Sequence, residues 1–88
     1  MNIKYTSLFN KDLSNIRNVK LAYLIESTID NIKNAKSLDE IKNLKKLKGY
    51  KNYFRIRIGD YRIGIFSENN VIELSRFLHR KEIYKYFP

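Results

Sequence analysis

The chain of 88 residues has no cysteine, no tryptophan, one proline, one histidine and three glycines. Without cysteine there is neither a disulfide framework nor a thiolate-based zinc or redox site. The single histidine, His79, excludes a multi-histidine metal centre, and neither G-x-x-x-x-G-K-[ST] nor G-x-G-x-x-G occurs. Apolar runs last only a few residues, far short of the ~20 that a bilayer-spanning helix needs. Met1-Asn2-Ile3-Lys4-Tyr5 leads straight into charged sequence, without the apolar segment of a signal peptide. The expectation is a cytoplasmic protein with no metal, no cofactor and no membrane association. Its length fits one small domain, residues 1–88, with room for one core and one site.

Acidic residues are also scarce. Eighteen Lys and Arg against nine Asp and Glu give a net charge of +9. Residues 1–44 carry seven bases and five acids, a balance of +2, whereas residues 45–88 carry eleven bases and four acids, a balance of +7. A lysine-rich composition alone would do no more than keep the chain in solution. Here, however, Arg55, Arg57, Arg62, Arg76 and Arg80 all fall in the basic half, and arginine offers a planar fork suited to phosphate. A basic half of this kind points to a polyanion or an acidic protein as partner.

Hydrophobic spacing divides the chain into elements. Ile3 and Tyr5 alternate with Asn2 and Lys4, which predicts a short strand. Thr6 or Ser7 then caps a helix with Phe9, Leu13 and Ile16 on one side, and a break falls at Asn15–Asn18. A second helix places Leu21, Leu24, Ile25, Ile29, Ile32 and Ala35 on one face. Ser37-Leu38-Asp39-Glu40 has the spacing of a capping box before one short turn through Ile41. From Tyr53 the period becomes two: Phe54, Ile56 and Ile58, then Tyr61, Ile63 and Ile65 after Gly59-Asp60, form a hairpin. Glu68-Asn69-Asn70 turns into a third strand, Val71–Leu78, and His79–Phe87 forms a short terminal helix or turn. The order β-α-α-β-β-β-(α) implies an α+β domain, with two helices on one face of an antiparallel-rich sheet.

With Gly59-Asp60 as the loop, Ile58 faces Tyr61, Arg57 faces Arg62, Ile56 faces Ile63 and Arg55 faces Gly64. The isoleucines then lie under the helices, while Arg55, Arg57 and Arg62 share the other face. Like charges directly opposite one another are destabilising, so these side chains either splay into water or hold an anion. Gly64 beside Arg55 leaves a floor open to a ligand. Continuing the alternation places Glu73, Ser75, Phe77 and, if the strand extends, His79 on the arginine side. A solvated polar face is the plain alternative, common in antiparallel sheets. Arg80 and Tyr84, four residues apart, fall on one helical face. Tyrosines at 50, 53, 61, 84 and 86 lie among the bases, a mixture that suits stacking on nucleobases with charge on phosphate.

Three segments carry a resemblance: Leu44-Lys45-Lys46-Leu47-Lys48-Gly49-Tyr50, the run Tyr53-Phe54-Arg55-Ile56-Arg57-Ile58-Gly59-Asp60-Tyr61-Arg62-Ile63, and His79-Arg80-Lys81-Glu82-Ile83-Tyr84. Together they resemble the RelE/ParE superfamily of bacterial and archaeal toxins, sharply over residues 44–88 and in topology over 1–43. The resemblance implies a type II toxin neutralised by a cognate antitoxin, here an acidic or partly disordered chain. RelE-like members cut mRNA in the ribosomal A site through the 2′-hydroxyl of the RNA, without metal; ParE-like members inhibit DNA gyrase and are not nucleases. The ribosome and mRNA are the implied targets of the first branch.

Within that resemblance, Arg62 matches the arginine that stabilises the transition-state phosphate, and Tyr84 the tyrosine that orients the attacking hydroxyl or stacks on a base. Arg80 fits the basic residue of the terminal motif. Arg55 and Arg57 stand where RelE-like toxins carry lysines, and an arginine does not deprotonate usefully. The proton-handling role then passes to His79, whose imidazole type titrates near ~6.5. Arg55, Arg57, Lys46 and Lys48 are assigned to flanking RNA backbone. The expected activity is an mRNA endoribonuclease; the alternatives are a gyrase inhibitor on the same fold or a binding module without activity.

Overall fold

Thr6 sets the first change of direction. Its extended backbone ends strand β1 (Asn2–Tyr5), and its hydroxyl accepts a 3.0 Å bond from the Phe9 N–H inside helix α1 (Ser7–Ser14). The same hydroxyl donates to the Ser75 carbonyl at 2.8 Å, fixing the helix start to a distant strand. Asn18 repeats the device for helix α2 (Val19–Asn34), its side chain accepting from the Leu21 N–H at 3.0 Å. Phe9, Ile25 and Ile32 are buried, with Leu13, Ile16, Leu21 and Ile29 packed around them. Leu24, expected on the same stripe, lies on the flank and is 38% exposed.

The capping box does not close as expected. Ser37 makes no side-chain cap, and Glu40 accepts instead from the Lys36 N–H; the result is a single 3₁₀ turn, Leu38–Glu40. The chain then forms a strand absent from the sequence reading, β2 (Leu44–Lys46). Three residues, two of them lysines, carry no alternation to read. The strand exists because it pairs with β3 (Tyr53–Ile58), Leu44 opposite Ile56, Lys45 opposite Arg55 and Lys46 opposite Phe54.

The computed structural model describes residues 1–88. Strands β4 (Tyr61–Glu68) and β5 (Val71–His79) complete a mixed sheet of order β1-β5-β4-β3-β2, in which β1 runs parallel to β5 and the other neighbours are antiparallel. A last turn of helix, α3 (Ile83–Tyr86), follows. The β3–β4 hairpin has the expected register: Arg57 opposite Arg62, Ile56 opposite Ile63 and Arg55 opposite Gly64. No helix is long and apolar enough to cross a membrane.

Two cores result, one on each side of the sheet. Beneath α1 and α2, twelve buried residues include Ile56, Ile58, Ile63, Ile65, Ile72 and Leu74. On the opposite face Leu47, Ile83 and Phe87 form a small cluster with Tyr53 and Leu78. The floor at Gly64, expected to be open, is therefore filled: a Cβ there would meet the Phe87 ring at 2.6–2.8 Å. Glycine is what lets the C-terminal tail lie against the central strand.

A bulge corrects the parity of β5. Ile65 pairs with Leu74 and Gly64 with Arg76, so Ser75 has no opposite residue. One extra residue on one strand turns every later side chain over. Phe77, opposite Ile63, is buried in the main core, and His79, opposite Tyr61, follows it to the helix side. Arg76 and Leu78 take the places expected for Phe77 and His79. Ser75 stays beside Glu73, its hydroxyl 3.2 Å from the carboxylate.

Candidate active site

The hairpin register makes a row of cations across the face away from α1 and α2. Arg57 and Arg62 are opposite each other, Arg55 is one row along, and Lys45 extends that row onto β2. No carboxylate pairs with Arg55, Arg57 or Arg62. Arg62 instead donates to the carbonyls of Gly59 (2.9 Å) and Tyr61 (2.8 Å), and Arg55 to that of Asn43 (3.2 Å). Partial burial, then the charges of Arg55 and Arg57, lower the Arg62 pKa from its ordinary value; Arg80 adds to this, and the Tyr84 phenol acts the other way. A guanidinium whose charge is disfavoured by its neighbours gains when an anion arrives.

Arg80 and Tyr84 join this cluster from the C-terminal segment. The Arg80 N–H donates to the Asp60 carbonyl at 2.7 Å, tying the segment to the hairpin loop. Its guanidinium lies 3.8 Å from the Asp60 carboxylate, a loose and exposed pair that contributes little stability. Ile83 and Phe87 anchor α3 on the second core, and Tyr84 between them is 64% exposed. A groove of about 480 Å³ runs beside the cluster, walled by Lys45, Lys46, Lys48, Tyr50, Arg55 and Tyr84. Lys46, in register with Phe54, has the opposite parity to Lys45 and also lines the groove.

Of the sequence-predicted residues, the structure brings together Arg55, Arg57, Arg62, Arg80 and Tyr84, with Lys46 and Lys48 on the adjoining groove. It does not bring His79 to them. The His79 ring sits edge-on to Tyr61 at 5.4 Å, and its Nδ1 accepts from the Lys81 N–H at 3.2 Å. Its strand partner is Tyr61, whereas Arg62 pairs with Leu78. Glu73 does share the arginine face but lies two rows away, opposite Phe66. Lys45 is missing from the predicted site, and only the register of β2 could have placed it; Tyr50, one of the tyrosines expected among the bases, lines the groove.

Arg76 has a different task. Its guanidinium makes a two-point contact with Asp12 of α1, 2.9 and 3.2 Å, and Asp12 also accepts from the Phe77 N–H at 2.9 Å. The hydrogen bond to Asp12 raises the Arg76 pKa above its ordinary value. Tyr86 lies 6.0 Å from the same guanidinium, so one arginine joins α1, β5 and α3. A second groove, about 450 Å³ between α1 and α2, is mainly apolar and gathers no comparable set of cations.

Comparison with known proteins gives a consistent picture. Residues 3–84 match the model of the ParE toxin family of the type II toxin–antitoxin system parDE. Toxin RelE3 of Methanocaldococcus jannaschii is 43% identical over 89 residues, covering 100% of both chains. A chain of the RelB–RelE antitoxin–toxin complex from Methanococcus jannaschii superposes with a TM-score of 0.80 at 42% identity, covering 97% of this chain and 99% of that one. The fold also matches a chain of the archaeal RelE–RelB complex from Pyrococcus horikoshii, with a TM-score of 0.72 at 20% identity over 90% and 93% of the two chains. With a family model spanning nearly its whole length and a relative of this identity covered end to end, the chain belongs to the RelE/ParE superfamily of type II toxins.

Proposed function

We propose that this toxin is a metal-independent endoribonuclease that cuts mRNA on the ribosome. The observation that carries the reading is the row of Arg55, Arg57 and Arg62 on one sheet face with no carboxylate paired to them, and with Arg80 and Tyr84 near enough to act on the Arg62 charge. Cleavage by the RNA's own 2′-hydroxyl forms a bond from the 2′-oxygen to phosphorus as the bond to the 5′-oxygen breaks. The products are a 2′,3′-cyclic phosphate and a 5′-hydroxyl; the proton leaving the 2′-oxygen passes to solvent water, and solvent water supplies the proton that reaches the 5′-oxygen.

The charge that builds on the non-bridging oxygens is where guanidinium donors act most strongly, each such donor being worth about 10²–10³-fold in rate. Arg62 and Arg80 take these oxygens. Tyr84, exposed on the same face, orients the 2′-hydroxyl and receives its hydrogen bond. Arg55, Arg57, Lys46 and Lys48 hold flanking phosphates. His79 is left out of the chemistry, because it stands on the helix side of β5. A cognate antitoxin, by analogy with the RelB–RelE complexes, holds the toxin inactive, and a net charge of +9 favours an acidic chain in that role.

The ParE description carried by the family model favours a second reading, in which the basic face binds a protein such as gyrase. Primer extension on a reporter mRNA in a reconstituted translation reaction separates the two. New 5′ ends with the wild-type protein, absent with folded Arg62→Ala, support the nuclease; intact RNA together with blocked DNA supercoiling supports the second reading.

A further inference from the structure

Beside the arginine cluster the groove has a surface of another kind. Tyr50 follows Gly49, whose φ of +85° turns the chain between β2 and β3. One side of the Tyr50 ring meets Tyr53 edge-to-face at 5.9 Å. Tyr53 is itself held by Phe66 at 5.1 Å and by Phe87 at 5.6 Å. The Tyr50 ring thus rests against an aromatic cluster rooted in the second core, yet it remains 49% exposed. Tyr84, from α3, lines the same groove, together with Lys45, Lys48 and Arg55. The volume, about 480 Å³, suits a small ligand such as a nucleotide.

We propose that Tyr50 is the stacking wall of a nucleobase subsite, taking the base of a nucleotide that flanks the scissile one. A single-stranded nucleic acid needs a flat π-face for each base and cations along its phosphates, and this groove supplies both. An acidic peptide would use the lysines but has no need of a half-exposed aromatic ring. The inference rests on the RNA reading above and adds to it a residue that selects for an unpaired base. Loss of the ring removes stacking, while loss of Lys48 removes charge that any phosphate would feel.

The test uses the full chain and a short single-stranded RNA with 2′-O-methyl riboses, which cannot be cut, presented free and on ribosomes. A series of the same RNA carries one abasic position at a time. Tyr50→Ala is expected to weaken binding of the intact RNA about 5- to 100-fold, and Tyr50→Phe to change it less than about twofold. The Tyr50→Ala loss should vanish on the RNA that is abasic at one position beside the scissile phosphate. Lys48→Ala should weaken the whole series evenly. An equal Tyr50→Ala loss on every abasic RNA, or none on the intact one, overturns the subsite. So does a loss of affinity for poly-glutamate in place of RNA. Cleavage of unmodified RNA by the wild-type protein is read in parallel. Cleavage without a base-dependent Tyr50 effect ends the subsite and leaves the nuclease, and the reverse result does the opposite. No RNA binding in either form overturns both.

Discussion

The two faces of the β3–β4 hairpin are built from alternate residues of the same strands, and they follow opposite rules. Toward α1 and α2 the strands present Ile56, Ile58, Ile63 and Ile65, all buried. Toward the other side they present Arg55, Arg57 and Arg62, side by side with no acid between them. The first face lowers the free energy of the folded state; the second raises it, since opposed like charges repel. A sheet tolerates the second because the first is well packed. Even the part of the cationic face that is covered, by Leu47, Ile83 and Phe87, serves to seat the helix that carries Tyr84.

Mutations sort along that division. The largest effect on stability belongs to the helix face: Ile63→Ala, at a fully buried position, should cost about 2–5 kcal/mol in denaturant unfolding. In so small a domain that loss should remove activity as well. Arg62→Ala should do the reverse, lowering cleavage by about 10²–10³-fold while the denaturation midpoint holds or rises, since one of the opposed charges is gone. If Arg62→Ala unfolds the protein, or Ile63→Ala leaves it as stable as before, the division of labour between the faces fails.

Gly64→Ala tests where the two roles meet. The new methyl would lie 2.6–2.8 Å from the Phe87 ring, inside contact distance, and overpacking of this kind costs about 1–3 kcal/mol. Moving Phe87 also moves α3 and Tyr84, so cleavage should fall. Adding Phe87→Leu to Gly64→Ala should restore part of the rate; no restoration would mean that the tail does not position Tyr84.

What could be read in advance was what alternation and turn chemistry control. The hairpin register was legible because Gly59-Asp60 and two runs of period two leave only one way to put the isoleucines together. Helices α1 and α2, and a cap at Thr6 or Ser7, were legible for the same local reasons. The sequence of β2 holds no period, so that strand and the place of Lys45 came only from pairing with β3. The seat of Phe87 over Gly64 joins residues far apart in the chain, and a glycine there reads equally well as an open floor. The bulge at Ser75 was hidden too. Its carbonyl is drawn to Thr6, and Asp12 takes the Phe77 N–H and the Arg76 guanidinium, so the deviation is fixed by α1 and not by any signal within β5. That one hidden residue moved His79 off the arginine face.

The smallest expected effect is therefore also the most informative about the chemistry. Were His79 the general base, His79→Gln would lower cleavage by about 10²–10⁴-fold. With the imidazole packed edge-on against Tyr61 and its Nδ1 engaged by the Lys81 N–H, the substitution should change the rate by less than about twofold, far below that general-base range. The two perturbed arginines do not bear on that comparison near neutral pH. Arg76, raised by Asp12, stabilises the fold below its unfolded pKa and loses that contribution only as pH rises through the still higher folded value. Arg62, lowered by burial and its neighbours, has the opposite sign: its charged form weighs against the fold until the most alkaline conditions discharge it. Both events lie far above neutrality, so a loss of about 10²-fold or more in folded His79→Gln would return the imidazole to the mechanism and would require β5 to twist its end toward Arg62 when RNA binds.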